Sequence, residues 1–396
     1  MKYVIFIGDG MADLPIEALG DKTPLAHLAP RGMARLASCE IGRVRTCPEG
    51  LLPGSDVAFL TLLGNDTKKV YAGRSTLEAA GMDVAVGEGE VAFRLNLVSI
   101  TEDGRILSHN GGGIEGEEVL SLISALKRDA AFSALMREYS LSVYATDTFR
   151  QQGVMAGDRR EFSDLTPPHD ITGKHYAPYL TNPFAAHLLE VSHAALKENP
   201  VNLSRIQRGL LPANALWCWG AGGAYALENF TKKYGAKGYA VSAVPLVKGI
   251  AKLSGLTAPD IPGATGMLDT NYEGKVRCAL SALESGYDCA LIHLEAPDEM
   301  SHDGSLENKL ESIRRFDERI VLPMLKALDS MGEYRALLMP DHYTLLSTRT
   351  HDGTPVPFAI FDSGKEGAPR PFTEELCKDE PILESGDALM RALFRN

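Results

Sequence analysis

No two cysteines in this 396-residue sequence are spaced C-x-x-C: Cys39, Cys47, Cys218, Cys278, Cys289 and Cys377 are scattered singly. Such thiols fit a reducing compartment and argue against a disulfide framework or a thiolate metal site. Positive charge is scarce too. With 40 Lys and Arg against 52 Asp and Glu the formal net charge is −12, which argues against nucleic acid or an anionic membrane as the main partner. A local basic pocket for a small phosphorylated ligand remains compatible with it. No uninterrupted apolar run reaches the ~20 residues that span a bilayer. The apolar start, Tyr3 to Ile7, breaks at Gly8-Asp9-Gly10, too early for a secretory signal, so a cytoplasmic protein is expected. A G-x-x-x-x-G-K-[ST] phosphate loop is missing as well: the run Asn110-Gly111-Gly112-Gly113 has no lysine behind it and reads as a flexible turn.

What is present is an ordinary globular composition, 44% hydrophobic, in a chain long enough for two domains. Apolar, β-branched runs at 3–7, 215–220, 238–244, 288–294 and 335–339 alternate with helical stretches at 224–234, 272–285 and 305–331. That rhythm predicts an α/β core with a mainly parallel sheet flanked by helices. Residues 39–54 read as irregular. From about Gly64 to Gly209 the pattern changes to short strands such as Val91 to Val98, helices such as Gly116 to Lys127 and Pro183 to Glu198, and the proline turn Thr166-Pro167-Pro168-His169-Asp170. The expected organisation is a discontinuous core, 1–63 and 210–396, with an inserted α+β lid or substrate domain, 64–209.

Three of the core strands run into carboxylates: Asp9 after the first, Asp298 after 288–294, and Asp341 after 335–339. In a parallel sheet these would share one edge, the edge where ligands bind. His302 lies four residues after Asp298, His342 directly follows Asp341, and His351 is close behind. Carboxylate and imidazole without thiolate is a ligand set for Mn²⁺, Zn²⁺ or a similar cation. Two such ions roughly 3.5–4 Å apart clamp the attacking and leaving oxygens of an in-line phosphoryl displacement. Ser55, in Pro53-Gly54-Ser55-Asp56-Val57-Ala58, opens an apolar run, 57–63, that reads as a helix. Its hydroxyl would sit beside unpaired backbone N–H groups that favour a phosphoryl anion. An ordinary helix cap is the competing reading.

These residues resemble the cofactor-independent phosphoglycerate mutases of the archaeal type, within the alkaline phosphatase superfamily, over nearly the whole chain. The resemblance rests on Gly8-Asp9-Gly10-Met11-Ala12-Asp13, the Ser55 motif, Gly263-Ala264-Thr265-Gly266 with Asp269 to Lys275, Glu295-Ala296-Pro297-Asp298 with His302, Pro340-Asp341-His342 and Thr350-His351. It implies an alkaline-phosphatase-like fold and two divalent metal ions, manganese first, with zinc, magnesium or cobalt as alternatives. Asp298, His302 and His351 would hold one ion; Asp9, Ser55, Asp341 and His342 the other. Ser55 would become a phosphoserine while 2- and 3-phosphoglycerate interconvert, and Arg94, Arg150, His169 and Lys248 are the candidates for gripping substrate. Members usually show Asn where this chain has Phe59, Tyr at Asn65, Gly at Ser75 and Ser301, and Tyr-Arg-His at Phe149-Arg150-Gln151. The metal positions are thus kept while pocket positions differ. A branch labelled homoserine kinase shares Thr166 to Asp170 and Pro200-Val201-Asn202-Leu203, so phosphotransfer to another small alcohol, or a metal-binding relative without turnover, stands beside the mutase reading.

Overall fold

The computed structural model describes residues 1–395. Its strands are β1 (Lys2–Gly8), β2 (Glu40–Val44), β3 (Glu90–Ile100), β4 (Ile106–Ser108), β5 (Ser142–Tyr144), β6 (Arg150–Ala156), β7 (Ala215–Gly223), β8 (Gly238–Val241), β9 (Cys289–Leu294), β10 (Tyr334–Met339), β11 (Tyr343–Leu345), β12 (Thr350–Asp352), β13 (Val356–Asp362) and β14 (Ile382–Leu383). The chain forms two compact units. The first comprises Met1–Tyr71, Ala80–Met82 and Ala226 onward; the second comprises Ala72–Ala79 and Asp83–Tyr225.

The first unit is built on a seven-stranded sheet, β14-β2-β13-β10-β1-β9-β8. Strands β8, β9, β1 and β10 run parallel to one another, while β13 is antiparallel to both β10 and β2. The parallel centre forms where the sequence is apolar without alternation, because side chains on both faces must be buried. Val4 and Phe6 join one core with Tyr272, Val276, Ile313, Phe316 and Leu325; Tyr3, on the opposite face, meets the ring of Phe394 in the C-terminal helix at 4.6 Å. The expected α/β sheet flanked by helices is therefore what the chain forms. In register, Gly8 lies beside Leu294 and Ile7 beside Met339. Asp9, the Ala296–His302 helix and Asp341 consequently leave the sheet at the same edge.

Two expectations for this unit need correction. Residues 39–54 are not wholly irregular, since Glu40–Val44 is a sheet strand between β13 and β14. Gly42 hides it in the sequence, yet a Cβ there would fall 2.5 Å from the Phe358 ring, so the missing side chain makes room for a neighbour. The expected helix 224–234 is confined to Phe230–Tyr234, starting where the Asn229 side chain accepts from the Lys232 N–H. The long helix 305–331 does form, as Leu306–Phe316 and Leu322–Leu328 joined by a π-helical turn, Asp317–Val321. Pro323, which has no N–H to give the preceding turn, follows after one intervening residue.

The second unit is an antiparallel sheet in which the long β3 pairs with β4, β6 and β7, and β6 pairs with β5. The Glu117–Arg128, Ala130–Glu138 and Pro183–Leu196 helices contribute Leu122, Ile123, Phe132 and Leu188 to a core with Phe93, Leu95 and Leu97 of β3. Strand β7 corrects a further expectation. Its 215–220 run, assigned to the returning α/β core, belongs to this second sheet, where Leu216 and Cys218 pack with β3. An apolar run announces a strand; it does not say which sheet will take it. The glycine run is not a loose turn either. Gly111, Gly112 and Gly113 all have positive φ, and the buried Arg205 guanidinium donates to the Gly111 and Gly112 carbonyls at 3.0 and 3.2 Å.

Candidate metal centre

At the C-terminal edge of the first unit's sheet, the seven residues expected to hold metal converge. Ser55 is the first residue of the Ser55–Leu62 helix, every residue of which is buried. The helix is not capped by Ser55. Gly54 occupies the cap position with extended backbone, and Asp56 Oδ1 satisfies the Val57 N–H. The Ser55 hydroxyl is left to face His342 Nε2 at 3.2 Å. Around that imidazole nitrogen stand Asp9 Oδ1 at 3.5 Å and Asp341 Oδ2 at 3.3 Å. Neither carboxylate oxygen has a hydrogen-bond partner, although both are buried. Their sister oxygens are occupied: Asp9 Oδ2 lies 2.9 Å from His293 Nε2, and Asp341 Oδ1 accepts from the Gly10 and His342 N–H groups.

The second group is formed by Asp298, His302 and His351. His302 Nε2 is 3.2 Å from Asp298 Oδ2, and His351 Nε2 is 3.5 Å from Asp298 Oδ1. Each imidazole has its Nδ1 on a backbone carbonyl, His302 on Arg349 at 2.9 Å and His351 on Pro53 at 3.2 Å. With both Nδ1 atoms donating, the two Nε2 atoms face each other across 3.0 Å. Such a pair is repulsive unless a proton or a cation lies between them. Asp298, His342 and His351 offer atoms close enough for one ion, as do Asp9, Asp341 and His342. His342 therefore belongs to both groupings, whereas the expected division gave it to one.

The electrostatics follow from burial and like charge. Burial first, then Asp341, Asp298 and Glu295, push the Asp9 carboxyl well above its usual range. Burial acts on Asp298 in the same sense, but hydrogen bonds from His302 and His351 outweigh it and hold Asp298 well below the usual range. His302 is raised to about 9, chiefly by its bond to Asp298. Burial keeps His293 and His342 neutral by lowering both. Unpartnered buried carboxylate oxygens beside facing imidazole nitrogens, with no thiolate among them, fit divalent cations.

Three further residues, not expected from the sequence, complete the centre. His293, fully buried, bridges Asp9 to the Ser242 hydroxyl at 3.0 Å, and the Phe59 ring meets it edge-on at 5.2 Å. Its signal was being the sole polar residue of the Cys289–Leu294 run. Lys275, also buried, donates to the His293 carbonyl at 2.9 Å. Thr344 lies two residues beyond His342, on the same side of the strand, and contacts both Asp298 and His342. Gly10 leaves space for this packing: at φ +58° a Cβ would fall 2.5 Å from Thr344 Oγ1 and 2.7 Å from Asp298 Oδ1.

The family profile for 2,3-bisphosphoglycerate-independent phosphoglycerate mutase matches residues 37–202. The enzyme of that name from Methanothrix thermoacetophila is 45% identical over 372 residues, covering 92% of this chain and 91% of the relative. The chain belongs to the 2,3-bisphosphoglycerate-independent phosphoglycerate mutase family. Solved structures agree on the fold. A Pyrococcus horikoshii protein superposes with a TM-score of 0.80 at 25% identity, over 100% of this chain and 97% of its own. A cofactor-independent phosphoglycerate mutase from Thermoplasma acidophilum gives 0.63 at 25% identity, over 100% and 99%.

In this member of the phosphoglycerate mutase family, the four expected anion-binding residues fall in different settings. Lys248, in the first unit, is buried and ion-paired with Asp260. Arg94, in the second, is buried, bidentate with Glu78, and stacked 4.6 Å over Trp219. His169 meets the same Trp219 edge-on at 5.3 Å, and His109 at 6.0 Å. Arg150 is exposed at the start of β6, its guanidinium 5.4 Å from the Phe149 ring. Among the described residues no helix is long and apolar enough to cross a membrane.

Proposed function

We propose that the protein interconverts 2- and 3-phosphoglycerate through a phosphoserine at Ser55, with two divalent cations, manganese first, held by Asp9, Ser55, Asp298, His302, Asp341, His342 and His351. The observation that carries this reading is the convergence of those side chains on one serine hydroxyl that no helix cap consumes. Bound cations would supply two things: stabilisation of the Ser55 alkoxide and neutralisation of the phosphoryl oxygens.

The chain's own residues supply the rest. Ser55 Oγ forms the new bond to phosphorus as the bond to the substrate's hydroxyl oxygen breaks, and the released glycerate oxygen takes up the proton that Ser55 gave up. The adjacent hydroxyl of the same glycerate then attacks the phosphoserine, the Oγ–P bond breaks, and that hydroxyl's proton returns to Oγ to regenerate Ser55. Burial of the whole Ser55–Leu62 helix fixes the nucleophile's position, and its N-terminal N–H groups favour the phosphoryl anion. His342 Nε2 stands 3.2 Å from the Ser55 oxygen, and burial holds that imidazole neutral. Retention of the phosphoryl group demands that water be kept from the phosphoserine while the glycerate turns. Arg150 and His169 are the side chains that this reading assigns to the substrate's anionic groups. Arg94 and Lys248 already hold carboxylates and would have to exchange them to reach substrate.

Purified protein, stripped with chelator and reconstituted with Mn²⁺, is expected to convert 3-phosphoglycerate to 2-phosphoglycerate in an enolase-coupled assay. Absence of turnover there, together with ATP-dependent phosphorylation of homoserine, would replace this reading with the phosphotransferase one.

A further inference from the structure

Thr344 touches one ligand from each group of the centre. Its hydroxyl donates to Asp298 Oδ1 at 2.5 Å, and the same oxygen lies 3.1 Å from His342 Nδ1. A threonine hydroxyl has a single hydrogen, and an ionised carboxylate can only accept. The hydrogen therefore goes to Asp298, and the Thr344 oxygen is left to accept from His342 Nδ1–H. That bond selects the imidazole tautomer whose Nε2 lone pair looks toward Ser55, Asp9 and Asp341. One buried hydroxyl thus sets the orientation of Asp298 and the tautomer of His342 together.

The threonine is itself held on several sides. Its N–H donates to the Ala12 carbonyl at 3.3 Å. Its carbonyl accepts from Lys309 Nζ at 2.7 Å, and Lys309 is paired with Asp13 Oδ2 at 2.8 Å, with all three side chains buried. Gly10 supplies the space for its hydroxyl. An oxygen carried by strand β11 is thereby tied to the Asp13 loop after β1 and to the Leu306–Phe316 helix.

We propose that Thr344 is a positioning residue that couples the two ligand groups, so that a cation entering one finds the other already oriented. This rests on the metal-binding reading above. The fixing of a ligating imidazole through its other nitrogen is worth about 10–100-fold in metal affinity in comparable sites. The test is a calorimetric Mn²⁺ titration of chelator-stripped wild type, Thr344→Val and Thr344→Ser, with the visible spectrum of each Co²⁺-loaded protein as a coordination signature. Valine keeps the volume and removes both bonds; serine keeps the hydroxyl.

The expected result is Mn²⁺ binding weakened about 10–100-fold in Thr344→Val, with an altered Co²⁺ spectrum, and binding restored to within a factor of a few in Thr344→Ser. Equal affinities and spectra for wild type and Thr344→Val would overturn the proposal while leaving the metal reading intact. So would a serine variant as weak as the valine one. Wild type that takes up no Mn²⁺ would overturn both. Should Thr344→Val not fold, Thr344→Ala gives the same comparison with serine, since it also lacks the hydroxyl.

Discussion

Ser55 shows how one residue type supports two readings that only its neighbours separate. A serine at the start of an apolar helical run is a good cap, and a cap would spend its oxygen on the N–H groups of its own first turn. Here Asp56 takes the Val57 N–H and Gly54 takes the cap position, leaving the serine oxygen for His342. Ser55→Ala is therefore expected to remove turnover, by about 10⁴-fold or more, as loss of a nucleophile does elsewhere. It should leave thermal stability within a few degrees of wild type, because no cap is lost. A variant that retains measurable mutase activity in the coupled assay would place the nucleophile elsewhere. Phe59 is instructive at the same scale. Its ring meets His293 edge-on, and His293 in turn holds Asp9, so an aromatic side chain one turn after the nucleophile supports a ligand.

At the scale of elements, the second unit depends on an ion pair between its Glu78 helical segment and β3. Glu78 is almost buried, yet Arg94 grips it with two nitrogens and Arg74 adds a third contact. Burial raises the Glu78 carboxyl, but the charges and hydrogen bonds of Arg94 outweigh it and lower the group from 4.5 to about 2. A shift of that size corresponds to about 3 kcal/mol. Because the folded value lies below the unfolded one, this stabilisation is complete above pH 4.5 and is lost as the pH falls toward 2. Urea unfolding should show it as a fall in stability between pH 5 and pH 3 that Glu78→Gln flattens. Arg94→Ala should cost about 3–5 kcal/mol at pH 7, the penalty for stranding a buried carboxylate. A loss of activity in Arg94→Ala without a loss of stability would instead show the guanidinium acting on substrate.

For the molecule as a whole, the centre is a concentration of buried charge that a cation would relieve. In chelated protein Asp9 and His302 both hold protons more tightly folded than unfolded, His302 up to about 9. Each favours the folded state at low pH and loses that contribution as pH rises through its folded value. His293 and His342, lowered by burial, act in the opposite sense only below their ordinary 6.5. Lys275, lowered by burial to about 8, does so only above that pH. Asp298, held low, contributes nothing to the slope at neutral pH. Between pH 7 and pH 8 the chelated protein should therefore become less stable to urea, and saturating Mn²⁺ should remove the slope. Mn²⁺ at 100 times its dissociation constant should add about 2.7 kcal/mol. Indifference of the unfolding midpoint to both chelator and Mn²⁺ would show that these carboxylates manage without a cation.

The primary structure by itself determined the parallel centre of the first sheet, because runs such as Val4 to Ile7 and Leu337 to Met339 tolerate no solvent on either face. It also determined the ligand candidates, because Asp9, Asp298 and Asp341 come soon after those strands, and His302 and His342 lie within four residues of Asp298 and Asp341. Tertiary structure decided what depends on partners distant in sequence. Glu40–Val44 became a strand because the Phe358 ring fills the place of a Gly42 side chain. Strand β7 joined the second sheet because β3 offered it an apolar edge. His293 shows in sequence only as the one polar residue of an apolar strand, and Thr344 only as a threonine after a motif; their meaning lies in 2.5–3.1 Å contacts to residues up to 284 positions away. Periodicity records which face of an element is buried, and only the folded chain records which atoms meet there.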